Sequence, residues 1–304
     1  MTAFKFCLVH APVTPFVNGQ VDLAGYRKVL DFHLRSGAEG LALPMHAGES
    51  VSLTVGEREA LLEFAIKHVK GRIPVIANVS EAGTEIAASL ASHAAKAGAA
   101  AIIATVPYYW TPPQSMLVEH FIAIGEAAKI PLFLLNSPGE MNEVGIASKS
   151  VTDLLRRLPN MAGLIDMSLD WQYMIKIITV ARAVRPDFQL VSGNEYMISA
   201  AAIGATGLLS PLAAIAPKLI GSLYALCMAE KFAEARPAQE RAAILYRALH
   251  DAGVGGLKTG LQAMGRDCGA PRPPLTSLNE ADTKVLLAEL SAAGAMNSES
   301  RGWA

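Results

Sequence analysis

Eight times along this 304-residue chain, a short apolar run stops at a polar cluster and gives way to a helical stretch. The runs are Lys5 to Val13, Gly40 to Leu43, Pro74 to Val79, Ala101 to Val106, Pro131 to Leu135, Met161 to Ile165, Phe188 to Val191 and Gly207 to Leu209. Continuous rather than alternating apolar runs belong to strands covered on both faces, as in a parallel sheet flanked by helices. Between them, Asp22 precedes a stretch with Leu23, Tyr26, Leu30 and Leu34 on one face, and Thr54 with Glu57 spells a capping box. Thr84, Ser148 and Trp171 open further helices. Strand-then-helix units at a spacing of roughly 20 to 35 residues predict an α/β chain folded as a (β/α)8 TIM barrel.

That barrel accounts for residues 1–230. Residues 231–295 read as a C-terminal helical extension, broken at Gly253-Val254-Gly255-Gly256 and at Arg272-Pro273-Pro274. Residues 296–304 are expected to fray. No linker rich in Gly, Ser or charge marks a second independent domain.

Composition narrows the function classes. With 52% hydrophobic and 17% charged residues the chain can fill a large core and cover subunit contacts, and its net charge of −1 gives no electrostatic reason to bind nucleic acid or an anionic membrane. No apolar run reaches the ~18 residues that span a bilayer. Cys7, Cys227 and Cys268 are scattered, with no metal-ligand spacing, so a reduced, cytoplasmic chain is expected. The start, MTAFKFCLVH, carries no basic segment, apolar core or small-residue cleavage site, so no export signal is expected there.

Several segments carry a resemblance. They are Val13-Thr14-Pro15-Phe16 with Val21-Asp22, Gly48-Glu49-Ser50 with Leu53-Thr54 and Glu57-Arg58, Pro107-Tyr108-Tyr109, and Asn136 with Pro138. Gly193-Asn194 ahead of Gly204-Ala205-Thr206-Gly207, Leu257-Lys258, and Gly269-Ala270-Pro271-Arg272-Pro273-Pro274-Leu275 complete the set. In order and spacing the chain resembles the dihydrodipicolinate synthase/N-acetylneuraminate lyase family. The resemblance implies a barrel with a helical extension, a homotetramer or homodimer, a small carboxylated 2-oxo-acid substrate, and lyase chemistry without a cofactor.

Transferred residue by residue, the family's chemistry does not survive. Its Schiff-base lysine falls on Ile165, and its proton-relaying tyrosine falls on Leu135. The hydroxyl pair that holds the substrate carboxylate falls on His46 and Ala47. The arginine following the Asn-x-Pro segment falls on Glu140, while the second tyrosine of Pro-Tyr-Tyr is kept as Tyr109. An imine requires a nucleophilic amine, which isoleucine cannot supply. A one-residue slip would bring Asp166 inward, but strand alternation and the flanking Asn160 and Gly163 speak against it.

The barrel's C-terminal strand tips build its site. His46, Tyr109 and Asp166 are the candidate acid–base groups, with backbone N–H donors near Gly48 to polarise the substrate. Ala47, Gly48, Glu49, Leu135, Asn136, Glu140, Ile165, Asn194 and Ser210 are candidate substrate contacts. His10, His46, Asp166 and Glu195 could be imagined around a metal, but no local spacing supports one and no metal is expected. Gly193-Asn194-Glu195 reads as a turn, and His33, His68, His93, His120 and His250 read as structural histidines on helical faces. Three readings follow: a lyase or hydratase working without an imine, a catalytically silent ligand-binding or scaffold relative, and an ordinary pyruvate-dependent aldolase or synthase.

Overall fold

The computed structural model describes residues 4–294 and 298–303. Eight parallel strands close into a barrel: β1 (Leu8–His10), β2 (Gly40–Leu43), β3 (Val75–Asn78), β4 (Ala101–Thr105), β5 (Leu132–Asn136), β6 (Met161–Asp166), β7 (Gln189–Ser192) and β8 (Gly207–Ser210). Each pairs with its sequence neighbours, and β1 seals the ring by pairing with both β8 and β2. The helices that return the chain are α1 (Leu23–Arg35), α2 (Val55–Val69), α3 (Thr84–Ala97), α4 (Gln114–Ala128), α5 (Ser148–Arg157), α6 (Trp171–Val184), α7 (Met197–Ala202) and α8 (Pro217–Met228). The first strand is shorter than the apolar run that announces it.

Local signals set the helix starts. Asp22 accepts from the Ala24 amide, and the Thr54 and Glu57 side chains each bond the other's backbone N–H, so exposed amides at the helix entrance find partners. The strands divide their side chains by parity. Val9, Ala42, Ile76, Ile103, Phe133, Leu135, Ile165, Val191 and Leu209 fill the barrel interior. Leu8, Leu41, Ile102, Leu134, Leu164, Leu190 and Leu208 pack outward under the helices. Phe4 and Phe6 close the N-terminal end edge-on against Phe133, at ring separations of 5.7 and 5.0 Å. Gly163 is required there, because a Cβ would stand 2.3 Å from the Gln189 carbonyl and 2.8 Å from the Phe133 ring.

The extension supplies α9 (Phe232–Ala263) and α10 (Glu280–Ala292). Gly253, with φ 59° and ψ −157°, breaks α9 inside the predicted glycine cluster. Leu249, His250, Val254 and Leu257, on either side of this break, reach the mouth of the barrel.

The tail departs from its expected fraying, within its described part, residues 298–303. Glu299 is buried and accepts from the Lys218 and Leu219 amides at 3.1 and 2.9 Å, capping α8 as a carboxylate at a helix N-terminus does. The buried Arg266 guanidinium lies 4.1 Å from the Phe32 ring centroid and donates to the Ala214, Gly302 and Ser300 carbonyls. Met296 and Asn297 lie outside the described residues.

Candidate active site

The C-terminal strand ends enclose a cavity of about 460 Å³ at the barrel mouth. Its floor and walls are mostly apolar, with Ala11, Met45, Leu135, Met167, Leu209 and Leu212 from the barrel and Leu249, Val254 and Leu257 from the extension. Polar groups interrupt this lining at a few places: His46 and Ser50 after β2, Arg58 on α2, Asn78 at the tip of β3 and Ser80 after it, Thr105 at the tip of β4, Tyr108, Glu140, Glu195, Tyr246 and His250. None of the described residues lining it is a lysine.

Parity settles the slip between Ile165 and Asp166. The β5–β6 register pairs Leu135 with Ile165 and Asn136 with Asp166. Leu135 and Ile165 point into the barrel, and Leu135 reaches the cavity. Ile165 is fully buried and does not line the cavity; it packs against Gly193, whose added Cβ would meet its Cγ2 at 3.2 Å. Asp166 takes the other parity. It accepts from Asn136 Nδ2 at 2.7 Å and from Ser168 Oγ at 2.8 Å, and Asn136 Oδ1 accepts from the Ile146 amide at 2.9 Å. Burial raises the Asp166 pKa and these hydrogen bonds oppose the rise. Neither Asp166 nor Asn136 lines the cavity; both tie strand ends to loops.

Other sequence candidates move similarly. Tyr109 is 93% exposed and lies outside the cavity. Its neighbour Tyr108 lines the wall and donates to Glu81 at 3.0 Å; burial, then Glu81, pushes its phenol up to about 12. The amides of Gly48, Glu49 and Ser50 donate to the Met45 and His46 carbonyls at 2.8 to 3.3 Å, so these donors are consumed by their own turn. Glu49 is fully buried, ion-paired to Lys258 at 2.6 Å and accepting the Arg272 amide at 2.7 Å. It is a strut between the β2 loop and the extension. Asn194 folds back on the Tyr196 amide, and Ser210 Oγ donates to Glu195 at 2.5 Å. His46, Ala47, Leu135 and Glu140 do line the cavity.

Lys258 is the amine that most needs placing. It is 4% exposed, held between Glu49, the Ala270 carbonyl at 3.4 Å and the face of Phe16 at 4.5 Å. Burial lowers its pKa and the Glu49 ion pair opposes the fall. It does not line the cavity.

Arg58, Ser80, Tyr246 and His250 line the cavity without having been candidates for it, and Glu195, weighed from the sequence only as a strand-tip residue and imagined metal ligand, lines it too. Burial pushes the Glu195 carboxyl up to about 7, and its Oε2 has no protein partner. Thr105 Oγ1 is likewise buried and unpartnered. The rule that strand tips face the barrel mouth points to both residues, but not to the missing partner of either side chain. Among the described residues, no cluster of three or more His, Cys, Asp or Glu is placed to hold a metal ion. No described helix is long and apolar enough to cross a membrane.

Comparison with known proteins fixes the ancestry. The family model described as the dihydrodipicolinate synthetase family matches residues 6–293. The chain belongs to this family. It is 34% identical over 289 residues to a 4-hydroxy-tetrahydrodipicolinate synthase of Roseobacter denitrificans, covering 94% of this chain and 98% of that one. A synthase of the same name from Nitrobacter hamburgensis is 33% identical over 296 residues, covering 94% and 96% of the two chains. Among solved structures, a dihydrodipicolinate synthase from Thermotoga maritima superposes with a TM-score of 0.90 at 27% identity, covering 95% of this chain and 99% of that one. One from Bacillus anthracis gives 0.90 at 29% identity, covering 99% and 100%. The likeness supports a lyase-type enzyme on a (β/α)8 barrel.

Proposed function

We propose that this chain is a lyase or hydratase acting on a small carboxylated 2-oxo-acid-like substrate by general acid–base chemistry, without a Schiff base. The observation that carries the reading is the cavity and its floor: Leu135 and Ile165 occupy the inward positions of β5 and β6, and none of the described lining residues carries an amine nucleophile. A C–C or C–O bond next to a carbonyl can still be broken if protons are moved at the right atoms. His46, in the stretch where the resemblance implies carboxylate binding, is available to bind an anion or transfer a proton. Thr105, whose buried hydroxyl has no partner, offers a donor to a substrate oxygen at the cavity wall, while the Arg58 guanidinium is held by the Asn78 and Ser80 carbonyls and by Glu81. The assembly is proposed to be a cytoplasmic homotetramer or homodimer, in which the exposed Tyr109 meets a neighbouring copy.

The names of the curated relatives favour a second reading, that of an ordinary imine-forming synthase. It would need an amine at the cavity, and Lys258 is committed to Glu49. The discriminating experiment follows water loss from a panel of 4-hydroxy-2-oxo acids by absorbance, with and without borohydride, in wild type and His46→Ala. Turnover that survives borohydride and falls in the variant supports the non-imine reading. Turnover abolished by borohydride contradicts it. Absence of turnover across the panel, with ligands still raising Tm, would support a silent binding protein.

A further inference from the structure

The loop after β7 holds one side chain with far more care than a turn requires. Glu195 is 1% exposed and lines the cavity. Its Oε1 accepts from Ser210 Oγ at 2.5 Å, and that same Oγ accepts from the Ala213 amide at 3.2 Å, which commits the hydroxyl proton to the carboxyl. The Glu195 backbone carbonyl accepts from Gln239 Nε2 of α9 at 2.6 Å, while Gln239 Oε1 takes the Ile198 amide at 3.0 Å. Ser192 Oγ donates to the Asn194 carbonyl at 2.7 Å. Two strand ends and the extension thus fix one carboxyl oxygen and leave Oε2 without a partner. A buried acceptor without a hydrogen bond, on a residue that lines a cavity, is costly unless a ligand there satisfies it.

The placement is also chemically apt. Glu195 and the wall that holds Ile165 are joined through Gly193. Glu195 thus stands two residues from the glycine that packs on Ile165, the inward position from which an amine is missing.

We propose that Glu195 is the proton-transferring residue of this site, with Ser210 and Gln239 as its positioning residues. The proposal rests on the non-imine reading above and names its base. In the elimination direction, Oε2 of the carboxylate takes the C3 proton of a 4-hydroxy-2-oxo acid. The C3–H pair forms the C3=C4 bond, the C4–O bond breaks, and the new carboxylic acid returns its proton to the departing hydroxyl. Water leaves and the carboxylate is restored. The titratable side chains that share the cavity are His46, Arg58, Tyr108, Glu140, Tyr246 and His250, and of these the Tyr246 phenol on α9 is raised in pKa by burial and then by the Glu195 charge. Burial holds the Glu195 carboxyl near 7, where a group can both accept and return a proton at neutral pH.

The test is exchange of the C3 protons of 2-oxobutyrate in deuterated buffer, followed by proton NMR between about pH 5.5 and 8.5, in wild type, Glu195→Gln and Ser210→Ala. Wild type should exchange at a rate that rises through one ionisation near 7. Glu195→Gln should lose about 100-fold or more in rate, with 2-oxobutyrate still raising Tm as proof that fold and binding persist. Ser210→Ala should move the midpoint upward, because the hydrogen bond it removes favours the ionised carboxyl. Should Glu195→Gln fail to fold, the Ser210→Ala midpoint decides alone. Exchange at the wild-type rate in Glu195→Gln, no exchange in wild type, or an unmoved midpoint in Ser210→Ala would overturn the proposal. Covalent trapping by borohydride during exchange would instead refute the reading beneath it, so the two failures are told apart.

Discussion

Acid should weaken this fold through a histidine pair that does not line the cavity, and replacing one of the two should show by how much. His10 at the end of β1 and His33 on α1 are 0% and 1% exposed, with their Nδ1 atoms 3.0 Å apart and both Nε2 atoms unpartnered. One ring must donate and the other accept, so the accepting ring is neutral, and burial disfavours the charged form of both. Burial depresses His10 to about 3; burial, then His10 and Arg266, hold His33 well below the ordinary value. The unfolded chain takes up protons below about 6.5 that the folded pair refuses, so stability falls as pH falls through that value. For His10 the loss continues down to about 3. Each such histidine costs about 1.4 kcal/mol per pH unit once the pH is well below 6.5. Glu195 acts with the opposite sign, since its raised pKa adds stability as pH falls through about 7. Wild type alone therefore reports a sum. His10→Ala isolates the term: lost packing should lower stability by about 2–4 kcal/mol at every pH, but the slope below pH 6 should be shallower by about 1.4 kcal/mol per unit. Urea denaturation between about pH 7 and 5 measures both. Parallel slopes for variant and wild type would refute the claim that His10 is held neutral.

Other substitutions test the placements. Lys258→Met leaves the fully buried Glu49 carboxylate without its cation and should destabilise by about 3–5 kcal/mol in urea; an unchanged midpoint would mean the pair is not formed as described. Arg272→Ala removes two 2.8 Å bonds to Glu57 and the stack on Phe16, and should cost about 1–3 kcal/mol. Glu57, which the Arg272 hydrogen bonds hold down at about 2, should then titrate higher, so the arginine's contribution disappears as acid protonates the carboxylate. Leu135→Tyr with Ile165→Lys puts a hydroxyl and an amine on adjacent inward positions. That double variant should become trappable by borohydride with pyruvate, seen as a mass increase on Lys at 165; no adduct would argue against the inward parity.

The barrel was legible because its evidence is local and repeated. Apolar runs such as Ala101 to Val106, capping residues such as Thr54 and Glu57, and the glycines at 253 to 256 act on their immediate neighbours. Parity alone placed Ile165 inward and Asp166 outward. What was not legible depends on partners distant in sequence. Glu49 reads as a site residue until Lys258 and Arg272, more than 200 positions later, are seen to claim it. The Gly48 turn reads as a set of free donors until its own carbonyls absorb them. Glu195 reads as part of a turn until Ser210 and Gln239 fix it and leave one oxygen open. His250 reads as a helical-face histidine because nothing local says that the break at Gly253 carries it to the cavity. The tail reads as frayed because the buried Arg266 that gathers it lies on another segment.

The most direct test of the central claim is intact-mass analysis after incubating the wild-type chain with pyruvate and borohydride. With Ile165 at the inward position of β6 and Lys258 bound to Glu49, the mass should remain that of the unmodified chain. A single reduced pyruvyl adduct mapped to any lysine would show that an amine does reach the site, and would contradict the account.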